Sequence, residues 1–337
     1  MRIGLIGYGK GGRFFHAPLI ASLPGGTFAG VVTGSPERRQ ALARDYPGVP
    51  AFDSLADLAA AGVDTVVVST PLSSRPALVH EAIQRGIPVV SDKPFAHDAA
   101  QAQWLVDASR QHRVLLGVYQ NRRWDSDFLT LLRLIGEGRL GSITRFESSI
   151  ERYSPRSVGK ASGGGLLRDL GSHLVDQALV LFGPVARVYA ELEFLDADTP
   201  YDHGFFIALT HHSGAISHLR GHCLQNAPAP RFRVSGSRGC YHVDGLDCQE
   251  GQSFAGLSPK ADAWGVEETS RWGWFEQGEA RERVPSERGC WPAYYRQWLD
   301  AVAGRGPNPV DPCDAVVACK VLDAARLSAE QGRVVAL

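Results

Sequence analysis

In the first 119 residues, short β-branched apolar runs alternate with helical stretches. The runs cover residues 3–6, 28–33, 66–69, 89–91 and 114–119. Apolar strands separated by helices are typical of a parallel sheet that is covered on both faces. The stretch at 77–85 also ends as a helix does, with Gly86 as the C-cap and Pro88 two residues further on. The pattern predicts an α/β domain with a doubly wound parallel sheet of the Rossmann type over residues 1–119.

Beyond residue 119 the pattern changes to alternating apolar and polar positions, after a helical stretch at 126–136. The alternating segments cover residues 144–150, 188–194, 205–209, 215–220 and 231–234. This period predicts strands with one covered face, and hence a large open, mainly antiparallel sheet. Helices are predicted at 169–182 and 314–331, and an irregular surface loop at 249–287. Residues 120–337 are therefore predicted to form a C-terminal α/β domain that binds substrate and mediates oligomerisation.

Length, charge and cysteine content exclude several classes of protein. A chain of 337 residues is long enough for two domains around a cleft. Its 35 Lys and Arg balance 36 Asp and Glu, which argues against nucleic acid as a partner. We expect a cytoplasmic protein without a membrane partner, because there is no signal-like start and no run of ~18 apolar residues. The six cysteines show no CxxC pair, so we predict reduced thiols and no metal site.

A glycine-rich turn directly follows the first predicted strand. It reads Gly7-Tyr8-Gly9-Lys10-Gly11-Gly12. In such a turn Gly7 permits the tight bend, Gly9 lets the backbone approach a pyrophosphate, and Gly12 allows close helix packing. The alternative is a glycine-rich β–α turn without a ligand. We predict a dinucleotide site here and add Tyr8, Thr70 and Pro71 to it.

The end of the second predicted strand distinguishes NADP from NAD. An NAD enzyme usually places a carboxylate there to hold the ribose hydroxyls, whereas this chain has Thr33, Gly34 and Ser35. Thr33 and Ser35 can hydrogen-bond a 2′-phosphate, and Arg38 or its neighbour Arg39 can neutralise it. We therefore predict NADP as the cofactor. NAD stays an alternative, since the arginines would otherwise be solvated helix residues and Glu37 could reach the ribose.

Two segments carry candidate catalytic side chains. Lys93 follows the strand at 89–91, at the sheet edge where ligands bind, and is either a surface residue or a cation beside the nicotinamide. Spacings of four and three place Asp169, His173 and Asp176 on one face of the helix predicted at 169–182. The structural alternatives are a core histidine bonded to Asp176 and a helix N-cap at Asp169.

Nearly the whole chain resembles the Gfo/Idh/MocA oxidoreductase family, and within it the NADP-dependent scyllo-inositol dehydrogenase branch. The matching segments are Gly7-Tyr8-Gly9, Phe15-His16-Ala17-Pro18-Leu19, Asp92-Lys93-Pro94-Phe95, Asn121-Arg122-Arg123-Trp124-Asp125-Ser126-Asp127-Phe128-Leu129, Asp169-Leu170-Gly171-Ser172-His173 and Pro292-Ala293-Tyr294-Tyr295. The resemblance implies a Rossmann domain, a nicotinamide cofactor and an active site in the cleft between two domains.

The resemblance also implies roles for individual residues. Lys93 would be the lysine of the family's (E/D)KP motif, His173 the acid/base and Asp169 a carboxylate that orients the substrate. The substrate site would further contain Arg122, Tyr153 and Asp176. A neutral imidazole can take the hydroxyl proton as hydride leaves the carbon, while a nearby ammonium stabilises developing negative charge.

Three features depart from the pattern of the family. The loop at 153–165 is shorter than in similar members, Arg168 adds a cation that we expect at the edge of the sugar site, and Arg75 replaces a histidine that commonly follows Thr70-Pro71. The first two bear on substrate identity. The third is expected to alter a contact behind the site without changing the chemistry.

The leading hypothesis is hydride transfer between NADP(H) and a secondary alcohol or ketone of a cyclic polyol or sugar. One alternative is a keto- or amino-sugar reductase of a biosynthetic pathway. Another is an NADPH-binding regulatory protein without catalysis. A homodimer or homotetramer is also expected, because Phe205, Ile207 and Leu209 alternate along a predicted strand and would form an exposed apolar face.

Overall fold

A computed structural model describes residues 1–157, 164–195, 199 and 201–337. Its first sheet has six parallel strands in the order β3-β2-β1-β4-β5-β6. The strands are β1 Arg2–Ile6, β2 Thr27–Val32, β3 Ala51–Phe52, β4 Thr65–Val68, β5 Val89–Ser91 and β6 Leu116–Val118. This order is that of two βαβαβ halves, so the predicted Rossmann domain is confirmed.

Helices cover both faces of this sheet. They are α1 Ala17–Ser22, α2 Pro36–Asp45, α3 Leu55–Ala60, α4 Arg75–Gln84 and α5 Ala99–His112. A π-helical segment at Gly11–His16 joins the glycine-rich turn to α1. The strands between these helices are buried on both sides, which explains why they are apolar without alternation.

The second sheet has nine strands in the order β14-β13-β12-β11-β7-β10-β9-β8-β15. They are β7 Ile143–Glu151, β8 Val185–Glu193, β9 Gly204–His211, β10 Ile216–His222, β11 Phe232–Gly236, β12 Cys240–Val243, β13 Gly273–Gln277, β14 Ala280–Val284 and β15 Val335–Ala336. Strands β7 and β10 run parallel, whereas the other neighbouring pairs are antiparallel. The prediction of a large, mainly antiparallel sheet is confirmed.

Six helices of the described chain beyond residue 120 pack on the two sheets. They are α6 Ser126–Gly136, α7 Gly165–Asp169, α8 Gly171–Phe182, α9 Cys248–Phe254, α10 Trp291–Val302 and α11 Pro312–Gln331. Tyr294 and Trp298 of α10 lie in the hydrophobic core of the Rossmann domain, where the Trp298 indole donates to Thr65 at 3.0 Å. Because α10 and the first turns of α11 belong to that core, the two domains are packed together rather than tethered. None of the helices in the described ranges is long and apolar enough to cross a membrane.

The segment at 249–287 is not the irregular loop that its composition predicts. It contains most of α9 together with β13 and β14, and it buries Trp264 and Gln249. These elements are short and polar, so tertiary packing determines them rather than local hydrophobic period.

The apolar side chains that were expected on an open sheet face are in fact covered. Phe205, Ile207 and Leu209 of β9 are at most 2% exposed and share a core with α8 and α11. The opposite face of β9 carries Phe206 and Ala208, which are half-buried. The strand assignment was correct, but the wrong face was taken as the open one.

Candidate active site

A cavity of about 260 Å³ lies between the two domains. Its walls are formed by Lys10, Gly11, Phe15, Asp92, Lys93 and Tyr119 from the first domain and by Asn121, Arg122, Arg152, Asp169, Leu170, His173 and Glu250 from the second. The cavity opens at the carboxyl edge of the parallel sheet, where ligands bind in folds of this type. It brings together four residues predicted from sequence: Lys93, Asp169, His173 and Arg122.

Lys93 and Asp169 form an ion pair across the cleft. The ammonium donates to the Asp169 carboxylate at 2.6 Å and to its backbone carbonyl at 3.2 Å. The carboxylate side chain is 47% exposed to the cavity. Burial would raise the pKa of Asp169, but the charge and hydrogen bond of Lys93 outweigh this and hold the pKa below its usual value. Asp169 is therefore ionised and keeps the ammonium directed into the cavity.

Asp92 anchors the strand end that carries Lys93. Its carboxylate accepts from the Ser69 hydroxyl at 2.7 Å and from the Lys93 backbone N–H at 2.8 Å, and lies 3.1 Å from Nε2 of His16. Burial acts to raise the pKa of Asp92, yet His16, Arg75 and Lys93 together lower it well below its usual range. This fixed anion holds the backbone of Lys93 in place.

His173 lies on the first turn of α8 and is 3% exposed. Its Nδ1 is buried without a hydrogen-bond partner among the described residues. Burial, followed by the charges of Lys93, Arg122 and Arg231, places the pKa of His173 well below its ordinary value of 6.5. The imidazole is consequently neutral near pH 7 and able to accept a proton.

The predicted helix at 169–182 is interrupted at Leu170, so Asp169 ends α7 rather than beginning the helix of His173. Asp176 does not face the cavity, and its placement in the substrate site was wrong. It is 2% exposed and accepts two hydrogen bonds from Arg123, at 2.7 and 2.8 Å. Three residues along a helix place a side chain about 60° away from His173 around the helix axis, which is enough for the half-buried Arg123 to bind Asp176 instead.

Tyr153 and Arg168 also lie outside the cavity lining. Tyr153 is 61% exposed and pairs through its backbone with Leu224. Arg168 is buried and its guanidinium contacts Asp323 of α11, so the expected cation at the edge of the site is absent there. Residues 158–163 of the short loop at 153–165 lie outside the described residues.

Arg122 lies in the wall of the cavity, and both terminal nitrogens of its guanidinium donate hydrogen bonds to carboxylates. It donates to Asp125 at 2.9 Å and to Glu250 at 3.1 Å. Glu250 and Arg152 were not predicted as site residues. Glu250 belongs to α9. The start of this helix could have been recognised from Asp247, its N-cap, because Asp247 lies three residues before Glu250 in the spacing of a capping box.

The glycine-rich turn has the shape that a dinucleotide requires. Gly7 has φ +99°, and a Cβ at Gly12 would collide with the Gly7 carbonyl oxygen. A Cβ at Gly9 would meet nothing nearer than the Arg38 guanidinium, 3.8 Å away, so the space above Gly9 is open. The buried Thr70 hydroxyl has no partner among the described residues and lies beside this turn. These features fit a pyrophosphate held by backbone N–H groups at a helix N-terminus.

Arg38, one of the residues predicted to select the cofactor, lies beside Gly9. Ser35 caps α2 and accepts from the Arg38 backbone N–H at 3.4 Å. The exposed Arg38 guanidinium makes no ion pair within the described ranges, whereas Arg39 donates to the Thr33 carbonyl and to Asp53. Arg38 is thus the cation available to a ligand, and Arg39 is structural.

Two expected contacts need refinement. The Tyr8 side chain is buried and its hydroxyl donates to Asp45 at 2.9 Å, so this residue can offer a cofactor only its backbone. Arg75 donates to the carbonyls of Thr70, Asp92 and Pro94. It joins the Thr70-Pro71 turn to the loop of Lys93 from behind.

A group of two histidines and a glutamate lies away from this cavity, at Glu193, His203 and His222. The Leu224 backbone N–H donates to Nδ1 of His222 at 3.0 Å, so the proton of the neutral ring is on Nε2, 3.2 Å from Glu193. This nitrogen is then a donor to the carboxylate rather than a metal ligand.

Comparison with known proteins follows the same division of the chain. Residues 1–120 match the model of an oxidoreductase family's NAD-binding Rossmann fold, and residues 133–337 match the C-terminal alpha/beta domain of the same family, Gfo/Idh/MocA. These two matches include every residue that lines the cavity except Asn121 and Arg122.

Individual relatives and a solved structure indicate the same family. The uncharacterized oxidoreductase YdgJ of Escherichia coli is 36% identical over 96% of this chain and 94% of its own length. The scyllo-inositol 2-dehydrogenase (NADP(+)) IolW of Bacillus subtilis is 31% identical over 100% of this chain and 96% of its own. The structure of YvaA from Bacillus subtilis superposes with a TM-score of 0.93 at 30% identity, covering 100% of this chain and 98% of that one. This protein is a member of the Gfo/Idh/MocA family of oxidoreductases.

Proposed function

We propose that the protein transfers a hydride between NADP(H) and a secondary alcohol or ketone of a cyclic polyol or sugar. The observation that carries the proposal is the meeting of Lys93, Asp169 and His173 in one cavity at the carboxyl edge of a dinucleotide-binding sheet. The similarity to IolW, a dehydrogenase of scyllo-inositol, supports a polyol as substrate.

In the direction of oxidation, the neutral His173 accepts the hydroxyl proton. Lys93 stabilises the negative charge that develops on the substrate oxygen as the C–H bond breaks. Asp169 keeps the ammonium in place through the 2.6 Å hydrogen bond. A bound nicotinamide supplies the hydride acceptor, so the alcohol loses one proton and one hydride and becomes a ketone.

The preference for NADP rests on Arg38 and Ser35. The exposed Arg38 guanidinium, which forms no ion pair with any residue that the structure describes, lies next to the open space above Gly9 and suits the extra phosphate of NADP. No carboxylate follows β2 directly to hold the free ribose hydroxyls of NAD.

Two alternatives follow from the same fold. A keto- or amino-sugar reductase would use the same cavity, but one observation in its favour is lost because Arg168 pairs with Asp323. A regulatory protein that only binds NADPH would not need a buried histidine with a depressed pKa beside Lys93.

The test is a substrate panel followed at 340 nm. We expect reduction of NADP⁺ with at least one of scyllo-inositol, myo-inositol, glucose and xylose, and a lower kcat/KM with NAD⁺. Oxidation of NADPH by keto-sugars without any polyol activity would select the reductase alternative. Tight NADPH binding in calorimetry with no turnover of either class would favour the regulatory alternative.

A further inference from the structure

Glu250 lies in the cavity wall and divides its two carboxylate oxygens between two arginines. One oxygen accepts from Arg122 at 3.1 Å and the other from Arg152 at 3.4 Å. The Glu250 side chain is 16% exposed, and α9 holds it in place by packing against the Rossmann domain, where Phe254 contacts Phe14 edge to face. Glu250 is thus fixed at the point where both guanidinium groups reach the cavity.

The charges of the cavity wall are nearly balanced because of this carboxylate. Four cations, Lys10, Lys93, Arg122 and Arg152, face three anions, Asp92, Asp169 and Glu250. Lys93 is matched by Asp169, whereas Arg122 and Arg152 share Glu250. Without Glu250 the wall would present two neighbouring guanidinium groups. Arg122 would keep Asp125, whereas Arg152 has no second ion pair in the part of the chain that the structure describes.

Such a pair of guanidinium groups is a strong receptor for a carboxylate, because each offers a planar fork of N–H donors. With Glu250 present, the carboxylate of an acidic sugar would have to displace it or lie beside a like charge. Hydroxyl groups face no such penalty, since they both donate to carboxylates and accept from guanidinium groups.

We propose that Glu250 determines charge specificity: it occupies the anion-binding capacity of Arg122 and Arg152, so that the site takes neutral polyols and sugars and rejects their carboxylate analogues. This inference rests on the proposed function. It assigns to α9 a role in choosing the substrate class that neither Lys93 nor His173 provides.

The test compares two substrates that differ only at C6, with saturating NADP⁺: D-glucose has a neutral hydroxymethyl group there and D-glucuronate a carboxylate. In Glu250→Gln the ratio of kcat/KM for glucuronate to that for glucose should rise about 10- to 100-fold, which is the size of one charge-assisted hydrogen bond. The control is Glu287→Gln, which removes a carboxylate 2.6 Å from Arg133 outside the cavity and should leave the ratio unchanged.

An unchanged ratio in Glu250→Gln, or a wild-type enzyme that already prefers glucuronate, would overturn the proposal. If neither sugar is oxidised with either cofactor, that result counts against glucose as a substrate under the proposed function and does not test charge specificity. Charge specificity is then measured by calorimetry, with both compounds titrated into the NADPH-loaded variants. The same gain in glucuronate affinity for Glu250→Gln over wild type is expected, and no gain would equally overturn the proposal.

Discussion

At the scale of single residues, the protonation state of His173 sets the pH range of the reaction. A base acts only when unprotonated, and the pKa of His173 lies well below 6.5. As pH falls, kcat/KM for alcohol oxidation should therefore stay level down to 6.5 and decline only below that value. A pH profile checks this, with His112→Asn as the control because that histidine is exposed at the end of α5, outside the cavity. A decline in kcat/KM that already begins above pH 7 as the pH falls would contradict the assignment of His173 as the base.

Arg38 is expected to account for most of the cofactor preference. In Arg38→Ala the KM for NADP⁺ should rise about 10- to 100-fold, because one charge-assisted contact to a phosphate is lost, while the KM for NAD⁺ changes little. Arg44→Ala, an exposed arginine of the same helix, serves as the control. Equal effects of Arg38→Ala on both cofactors would show that Arg38 does not distinguish them.

Single residues also show the limits of prediction from sequence. The family resemblance placed Lys93, Asp169 and His173 in one site, and all three line the cavity, although Asp169 ends α7 instead of beginning the helix of His173. Lys93 was the simplest to place, because it follows a buried strand at the sheet edge where ligands bind. Asp176 and Arg168 were misplaced because their orientation depends on Arg123 and Asp323, which come from distant parts of the chain. The local pattern of apolar and polar residues does not show which distant side chain will become a partner.

At the scale of elements, Arg123 ties three segments together. It lies in the 3₁₀ turn Asn121–Trp124 and donates to Asp176 of α8 and, at 2.9 Å, to Asp314 of α11. Arg123→Met would leave Asp176 buried without its cation, so the free energy of unfolding should fall by about 3–5 kcal/mol. Chemical denaturation measures this.

The matched control is Arg133→Met. Arg133 forms its ion pairs with Glu137 and Glu287 at the surface, where such a pair contributes about 0–1 kcal/mol. Equal decreases in the free energy of unfolding in the two variants would mean that the ion pair of Arg123 with the buried Asp176 stabilises the protein no more than a surface ion pair.

Helices and strands with a clear hydrophobic pattern were predicted well, whereas short polar elements were not. The runs at 66–69 and 89–91 became β4 and β5, because burial on both faces leaves an unambiguous apolar signal. Helix α9 has seven residues, and only its Asp247 cap marks it locally. Since α9 carries Glu250, the part of the site that sequence missed is also the part that we assign to specificity.

At the scale of the whole molecule, we propose that the outer face of the nine-stranded sheet pairs with another copy of the chain. This face carries half-buried aromatic groups, with Phe206 near His218 and Arg281 4.0 Å from the Trp274 ring. Exposed apolar patches mark interaction sites, and a symmetric pair of identical chains is the commonest arrangement among soluble oligomers.

Light scattering at micromolar concentration should accordingly give a mass of two or four times 36.4 kDa. Phe206→Asp should shift the protein towards the monomer, whereas Trp104→Asp, at an exposed site on α5, should not. A wild-type mass of 36.4 kDa would refute the assembly.

The most direct test of the account is hydride transfer by Lys93→Ala and His173→Ala with the polyol that the wild-type enzyme oxidises best. Each variant should lose about 100-fold or more in kcat, the size typical of removing a general base or an electrostatic stabiliser. In His173→Ala the affinity for NADPH should stay within a few-fold of wild type, because the glycine-rich turn and Arg38 are untouched. Unchanged turnover in both variants would contradict the central claim that this interdomain cavity is the active site.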